Sequence, residues 1–230
     1  SKNNFAQDNK FEKWHTYINI KGEEVLKISA IRANAFSEGL ARVQKYSWDG
    51  GAKAYNNYGF IDEKGKLVIP AVYEDITDFE FGIAFGKKRG EADFKIVNKQ
   101  GELVSNYSFI RAPFISFGLI KIEENGRFGF INTKGEVVIK PKYASSDIFD
   151  VDGLCSVAIE KDPNTWLYGF IDTLGNEVVP CIYKQDGSSG YSDGLARMRF
   201  PNGKIGYINA KGEVIIQPKY ATTNSYGEGF

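Results

Sequence analysis

Short runs in which apolar residues alternate with polar ones make up most of the chain. The run Leu40-Ala41-Arg42-Val43 is an example, because Ala41 and Val43 alternate with polar residues as in a half-buried strand. No stretch repeats its apolar residues with helical periodicity between capping signals. The pattern therefore predicts an all-β protein with little helix.

A four-residue turn signature, Asp/Asn-x-x-Gly, recurs at intervals of about 38 residues. The turns are Asn19–Gly22, Asp62–Gly65, Asn98–Gly101, Asn132–Gly135, Asp172–Gly175 and Asn209–Gly212. A second glycine follows each turn glycine by 17 to 19 residues, at Gly39, Gly82, Gly118, Gly153, Gly194 and Gly229. Self-similarity at a fixed period is typical of repeat proteins, so the sequence predicts six tandem repeats.

Each turn lies between an aromatic-rich run and a β-branched run, such as Tyr58-Gly59-Phe60-Ile61 and Leu67-Val68-Ile69. Asp or Asn can accept hydrogen bonds from the turn backbone, and glycine can take a positive φ, so we expect a hairpin. Proline cannot donate to a β-ladder, which predicts that a proline ends the second strand. The prolines concerned are Pro70, Pro141, Pro180 and Pro218.

Two further features complete the repeat. An aromatic residue eight positions past the turn glycine is expected to pack against the next repeat; these residues are Tyr73, Phe109, Tyr143, Tyr183 and Tyr220. A third strand follows the second glycine, as in Leu119-Ile120-Lys121-Ile122, and leads through a variable loop to the next repeat. Each repeat is thus predicted to be a three-stranded meander with a connector from the proline to the second glycine.

These residues together resemble the bacterial WG (KWG) repeats over about residues 14–230. The shared pattern is aromatic-Gly-aromatic-Ile-Asp/Asn-x-x-Gly-x-Val-Val-Ile-x-Pro-x-Tyr, then Phe-x-x-Gly-Leu-Ala-x-Val. The resemblance is strong in the repeats that begin at Tyr58, Phe128, Tyr168 and Ile205. It is weaker at Trp14, where His15-Thr16 interrupts the motif, and at Phe94, where Lys95 replaces the glycine. The resemblance implies a repeat β-fold with a binding role and assigns no catalytic residue.

A three-stranded repeat cannot bury both faces of its sheet, so the repeats must pack on one another. We predict one domain over residues 1–230 whose repeats close into a propeller-like ring, with an open array as the alternative. In the ring, residues 1–13 would supply the closing strand, because Phe5-Ala6 precedes Trp14 as Ile120 precedes Phe128. Asp8 argues against this assignment, since an apolar residue is expected there.

Composition narrows the possible functions. The chain has 29 Lys+Arg and 29 Asp+Glu, and this balance argues against a nucleic-acid-binding surface. No apolar stretch is long enough for a membrane helix. Residues 1–14 lack the layout of a signal peptide, and both a cytoplasmic and an envelope or secreted location stay open. The sequence contains no dinucleotide fingerprint and no P-loop, so we expect no cofactor.

Few residues are suited to catalysis or metal binding. His15 is the single histidine, and this count disfavours multi-His metal sites and His-containing triads. We interpret it as a strand residue in the place that Gly59 has in another repeat. Cys155 and Cys181 replace small apolar residues, so we expect buried, inert thiols, with a disulfide as the alternative. The acidic residues of the connectors lack the spacing of a calcium loop or a glycosidase pair and are expected to be solvated. They are Glu74, Asp75, Asp78, Glu80, Asp147, Asp150, Asp152, Asp186 and Asp193.

The loops between the third strand and the next repeat vary most and are expected on one face of the molecule. They span residues 46–57, 87–92, 123–127, 161–167 and 201–204. Because Trp and Tyr are frequent interface anchors, Tyr46, Trp48, Tyr55 and Trp166 are the candidate binding residues, although packing on their own sheets is equally consistent with the pattern. We predict a non-catalytic module that binds a protein or peptide. Glycan binding at the cell envelope is the alternative, and a propeller-type hydrolase is less favoured.

Overall fold

The computed structural model describes residues 12–48, 54–184, 191–192 and 194–221. All regular secondary structure in these ranges is β, as the sequence predicts. Within them, no helix is long and apolar enough to cross a membrane. The chain divides into two compact units, Ser1–Pro113 and Phe114–Phe230. A single domain and a closed ring stay predictions, and most of the segment proposed to close the ring, residues 1–11, lies outside the described ranges.

The described part of the first unit is built from antiparallel strands. They are β1 Lys13–Ile18, β2 Glu24–Ala30, β3 Arg32–Ser37, β4 Leu40–Trp48, β5 Ala54–Asp62, β6 Leu67–Ile76, β7 Ile83–Lys88, β8 Phe94–Asn98 and β9 Leu103–Phe109. β1 pairs with β2, and β3 to β9 form a 7-stranded sheet in sequence order.

The second unit is built in the same way. Its strands are β10 Ile115–Ser116, β11 Leu119–Glu124, β12 Arg127–Asn132, β13 Val137–Tyr143, β14 Ser145–Ser146, β15 Cys155–Asp162, β16 Thr165–Ile171, β17 Glu177–Lys184, β18 Tyr191–Ser192, β19 Leu195–Arg199, β20 Ile205–Asn209 and β21 Val214–Tyr220. β10 to β13 form a 4-stranded sheet, and β14 to β21 form an 8-stranded sheet.

A short strand in the connector extends the predicted three-stranded repeat. The strands β3, β10, β14 and β18 each pair with the third strand that follows them. In the second repeat, between β6 and β7, this strand is reduced to one bridge between Glu80 and Ile83. β10, β14 and β18 have two residues each, too few to show an alternating pattern, and the six residues of β3 were assigned to the connector. In the sheet β10–β13, a connector strand, the third strand and the two strands of the following hairpin form a four-stranded antiparallel meander.

The Asp/Asn-x-x-Gly turns have the predicted geometry. After β5, Asp62 Oδ1 accepts hydrogen bonds from the backbone N–H groups of Lys64 at 3.0 Å and Lys66 at 2.9 Å. The turn glycines all have a positive φ, which glycine adopts without steric cost. The values are 80° at Gly22, 79° at Gly65, 79° at Gly101, 81° at Gly135, 84° at Gly175 and 79° at Gly212.

The prolines do not end the second strand, contrary to the prediction. Pro70, Pro141, Pro180 and Pro218 lie inside β6, β13, β17 and β21. At the first of these sites, Tyr58 pairs with Tyr73 but Phe60 pairs with Ile69, so β6 contains extra residues around the proline. Such a β-bulge leaves residues outside the ladder, where the missing N–H of proline costs no hydrogen bond.

The glycine of the aromatic strand makes room for this bulge. A Cβ at Gly59 would lie 2.5 Å from the carbonyl oxygen of Ile69, closer than a side chain can approach. The aromatic-Gly-aromatic motif is therefore explained by a close approach of two backbones. In the first repeat, which has no such proline, β1 and β2 pair regularly at this place and Thr16 takes the position of the glycine.

Tyr73 and Tyr183, each eight positions past a turn glycine, pack against residues of the third strand or its end in the same repeat, and not against the next repeat as the sequence predicted. Tyr73 is 3% exposed, and a Cβ at Gly86 of β7 would lie 2.7 Å from its ring. In the second unit, the centroid of the Tyr183 ring lies 4.8 Å from that of Phe200, at 80° between the ring planes. Buried residues of successive repeats do join in common clusters, as Leu154, Phe170 and Ile208 do in the second unit.

Candidate functional site

Three of the four candidate aromatic residues belong to one hairpin, β4–β5. β4 extends to Trp48 and β5 begins at residue 54, so Tyr46, Trp48 and Tyr55 are strand residues and the predicted loop 46–57 is too long. The antiparallel pairing runs on into the predicted loop, where Tyr46 pairs with Asn56 and Ser47 pairs with Tyr55. Residues 49–53 and the side chain of Trp48 lie outside the described part of the chain.

A cation from the next hairpin covers Tyr55. The guanidinium carbon of Arg89, which follows β7, lies 4.1 Å from the centroid of the half-buried Tyr55 ring. In the second unit, Arg127 Nη2 at the start of β12 donates to Glu160 Oε2 of β15 at 2.7 Å. Each contact joins neighbouring hairpins at the ends where the third strand turns into the aromatic strand. We call these ends the tip face of each unit; the two contacts show that the ends of these neighbouring hairpins lie side by side.

The fourth candidate, Trp166, lines an open groove on the tip face of the second unit. Trp166 and Tyr168 point to the same side of β16, because side chains alternate along a strand. The groove has a volume of about 580 Å³, which is within the usual range of ligand sites. Trp166 is 43% exposed, so a large part of its ring is available to a ligand. The lining residues are Pro163, Asn164, Thr165, Trp166, Tyr168 and Lys184.

The groove combines aromatic surface with polar groups. The side chain of Lys184 is exposed at its wall. Burial raises the pKa of Tyr168, and the negative charge of Asp147 adds to the effect, so this phenol stays protonated at neutral pH. Glu160, the cross-strand partner of Trp166, is engaged by Arg127. The arrangement can therefore stack on a flat or apolar group while an ammonium and a phenol bind polar atoms.

His15 makes a structural contact. Its Nε2 lies 3.1 Å from the carbonyl oxygen of Ala30, the last residue of β2. Counted back from Asn19, the glycine's place in the motif belongs to Thr16, so the sequence-based placement of His15 opposite Gly59 was one residue off.

The two cysteines are free and buried, as predicted, which excludes the alternative of a disulfide. Burial raises the pKa of each thiol to about 11, so neither is a nucleophile at neutral pH. Among the described residues, no group of three or more His, Cys, Asp or Glu could hold a metal ion.

Acidic residues of the connectors were predicted to be solvated turn and edge residues, and the described ones include residues that cap turns and residues at the surface. Asp150 Oδ1 accepts hydrogen bonds from the backbone N–H groups of Asp152 and Leu154, both at 3.0 Å. Asp78 pairs with Arg42 at 3.2 Å. The predictions for Asp186 and Asp193 lie outside the described residues.

Sequence reasoning missed Arg89 and Lys184. Arg89 is distant from Tyr55 in the sequence, and beside it the Glu91 carboxylate accepts a hydrogen bond from the backbone N–H of Lys88 at 3.0 Å. Lys184 is distant from Trp166 in the sequence and reaches the groove through its pairing with Leu167. Only the strand register brings these two residues together, so no local signal could have identified Lys184.

A family profile described as "WG containing repeat" matches the chain at five places. The matched residues are 16–47, 58–91, 128–161, 168–204 and 205–230. No curated protein sequence matches the chain significantly.

Similar solved structures include the computationally designed Ika8 protein, with 13% identity, a TM-score of 0.34 and coverage of 85% of this chain and 64% of the designed one. BamB from Moraxella catarrhalis has 8% identity and a TM-score of 0.33, covering 88% of this chain and 82% of its own. AztD from Citrobacter koseri has 11% identity and a TM-score of 0.26, with coverage of 92% and 79%.

Proposed function

The chain belongs to the family of WG-containing repeat proteins, and on this basis we propose that it is a non-catalytic module that binds a protein or peptide through its tip face. A repeat β-scaffold holds the ends of its hairpins in place by cross-strand pairing, as between Glu160 of β15 and Trp166 of β16. Variable segments on such a scaffold are commonly recognition surfaces.

The groove beside Trp166 is the observation that supports the proposal best. Tryptophan and tyrosine contribute much of the binding energy in protein interfaces when they lie in pockets from which water is displaced. Trp166 and Tyr168 present such surface together, and Lys184 adds an exposed ammonium beside them. These groups suit a peptide segment that places an apolar or aromatic side chain in the groove and a carboxylate near Lys184.

Glycan binding is the second candidate, because two aromatic rings on one side of a strand can also stack on sugar rings. A sugar site of this kind would combine its aromatic platform with carboxylates that bind hydroxyl groups. Among the described residues that line the groove, none is Asp or Glu. This difference favours a peptide over a glycan.

The proposal is tested with a Trp166→Ala variant and peptides selected from a displayed random library on the wild-type protein. We expect Trp166→Ala to weaken binding of the selected peptides by about 2 kcal/mol, or roughly 30-fold in Kd, while the melting temperature of the protein stays unchanged. Trp14→Ala is the matched control, because Trp14 is 70% exposed and lies on β1. Equal binding to Trp166→Ala and wild type would exclude the groove, and binding of oligosaccharides there would favour the alternative.

A further inference from the structure

Three large apolar side chains are exposed at the end of the second unit where the Asp/Asn-x-x-Gly turns lie, opposite the tip of the β15–β16 hairpin. Phe117 is 55% exposed, Val151 is 93% exposed and Leu174 is 73% exposed. Phe117 lies in the β10–β11 turn, Val151 lies in the turn before β15, and Leu174 lies in the turn after β16.

These three turns meet around Gly153. The position of a Cβ at Gly153 is 3.7 Å from the Phe117 ring and 3.7 Å from the Thr173 methyl group. Val151 shares a turn with Gly153, which is closed by a hydrogen bond of 3.0 Å from Gly153 N to Asp150 O. Leu174 directly follows Thr173. We call Phe117, Val151 and Leu174 the apolar turn patch.

The first unit shows that the scaffold does not require apolar residues here. The positions that correspond to Phe117, Thr173 and Gly153 are Glu38, Lys99 and Gly82, counted from the repeat glycines and turns. Lys99 Nζ lies 3.1 Å from Glu38 Oε2, and Gly82 N donates to the same oxygen at 2.9 Å. Val151 and Leu174 likewise correspond to polar residues, Glu80 and Gln100.

The backbone at Phe117 has the conformation that this turn adopts at Glu38 and Phe81 as well. Its φ is +52°, in the left-handed region that residues with a Cβ rarely adopt. Two-residue hairpin turns of this type favour Asn, Asp or Gly. Glu38 has a similar φ of 51° but its carboxylate gains the contacts with Lys99 and Gly82. Phe81, which also directly precedes a second glycine, has the same φ of 52°, so this conformation belongs to the repeat turn and the side chain that it carries is what differs.

The size and charge of the patch limit what can cover it. The three side chains expose on the order of 400 Å², which is typical of functional surface patches and about half of the ~800 Å² that each partner buries in a stable interface. This area suits a short segment better than a second copy of the chain. Asp150 and Asp152 flank Val151, and Asp152 is exposed, so the rim is negatively charged.

We infer that the apolar turn patch is a second binding surface, distinct from the groove, for a short segment of a partner protein with bulky apolar side chains next to Lys or Arg. The apolar side chains of the segment would cover Phe117, Val151 and Leu174. Its cations would lie near Asp150 and Asp152.

The double variant Phe117→Glu/Thr173→Lys tests this inference, because it installs the ion pair that the first unit already contains. Peptides that bind the double variant are first removed from a random dodecapeptide library, and the remaining peptides are then selected for binding to the wild-type protein. We expect enrichment of peptides that combine bulky apolar residues with Lys or Arg. Synthetic copies should bind the double variant at least tenfold more weakly than wild type, bind more weakly with added salt, and bind Trp166→Ala like wild type.

Leu174→Gln provides a second variant with the residue of the first unit at that place, should the double variant fail to fold. Binding that is equal on wild type and on the folded variants would overturn the inference, as would a lack of enrichment. Peptides that bind Trp166→Ala more weakly than wild type, but bind the double variant like wild type, would show that they occupy the groove and would overturn the inference. Self-association in sedimentation velocity that Leu174→Gln abolishes would overturn it in favour of a contact between copies.

Discussion

Gly129 lies directly against the backbone at Pro141, so that a Cβ on Gly129 would be 2.6 Å from the proline nitrogen. The same approach occurs between Gly169 and the residue after Pro180, whose nitrogen would lie 2.8 Å from a Cβ. The glycine and proline of the motif are far apart in the sequence but form one structural feature, a bulge and the space that it needs. This relationship explains why the two residues recur together.

Gly129→Ala is therefore expected to destabilise the protein by about 2 kcal/mol or more, because overpacking against a backbone that cannot move aside costs about 1–3 kcal/mol. The midpoint of urea denaturation measures this change. Lys95→Ala is the matched control, since Lys95 has the glycine's place in the third repeat and should change stability by less than about 0.5 kcal/mol. Equal effects of the two substitutions would contradict the close approach.

The fold could be predicted wherever its determinants are local in the sequence. Asp62 and Gly65 specify their turn by themselves, so the repeat period and the hairpins followed from the sequence. The path of the chain at Pro70 could not be predicted in this way. The rule that proline ends a strand ignores a bulge, and this bulge appears only when β6 pairs with β5. The candidate site shows the same division. Trp166 is conspicuous as a residue outside the repeated pattern, whereas Lys184 joins it only through the register of β16 and β17.

The turn glycines are expected to differ in their tolerance of alanine. At Gly22 no atom lies within 4 Å of the place that a Cβ would take, so Gly22→Ala should cost about 1 kcal/mol from its φ alone. At Gly65 a Cβ would lie 2.8 Å from Leu26 Cδ1, the movable end of a side chain. At Gly212 a Cβ would lie 2.8 Å from the carbonyl oxygen of Val178, part of the backbone.

The loss of stability should therefore increase from Gly22→Ala to Gly65→Ala to Gly212→Ala, with the last above about 2 kcal/mol. Gly135→Ala should cost at least about 1 kcal/mol, because its φ is 81°. Thermal and urea denaturation of the four variants check this order. A Gly22→Ala variant that is as unstable as Gly212→Ala would show that backbone conformation alone sets the cost.

The buried thiols are expected to reduce stability at alkaline pH. Burial raises the pKa of Cys155 from 9.0 to about 11, so between these values the unfolded chain loses a proton that the folded protein keeps. Stability must then fall as the pH rises through this window. Cys155→Ala should make the fall shallower, and alanine fits because Ala41 and Ala196 occupy the same place in other repeats.

Urea midpoints of wild type and Cys155→Ala between pH 8 and pH 11 measure this difference, with the pH limits set by the thiol pKa values. A thiol reagent provides an independent check, because both cysteines should react only after unfolding. Rapid labelling of the native protein at neutral pH would contradict their burial.

Trp48 is expected to contribute to binding on the tip face of the first unit, since it lies outside every repeated position of the motif. Trp48→Ala should weaken peptide binding by on the order of 2 kcal/mol and leave the melting temperature nearly unchanged. Isothermal titration with a selected peptide and a thermal melt measure the two quantities. A drop of many degrees in the melting temperature would instead make Trp48 a packing residue.

The side chain of the residue directly after the turn glycine forms a hydrogen bond with the Asn or Asp that begins the turn. Where the turn begins with Asn, its Nδ2 donates to a Glu Oε2, as from Asn132 to Glu136 at 2.7 Å and from Asn209 to Glu213 at 2.6 Å. In the Asp172 turn the roles are reversed, because Asn176 Nδ2 donates to Asp172 Oδ2 at 2.8 Å. Desolvation opposes the charge of Asp172, but the hydrogen bonds from Asn176 and the turn backbone outweigh it and lower the pKa of this carboxyl.

Asn132→Asp should therefore destabilise the protein by on the order of 1 kcal/mol at neutral pH, because it replaces a hydrogen bond with two carboxylates in contact. Adding Glu136→Asn recreates the pair of the Asp172 turn and should restore most of the stability. The interaction also predicts that Asn132→Asp alone recovers as the pH falls below the range in which both carboxylates are charged. A double-mutant cycle from urea denaturation at neutral pH measures the coupling. Additive effects of the two substitutions would show that the first and fifth residues act independently, and that the repeated pairing has no energetic basis.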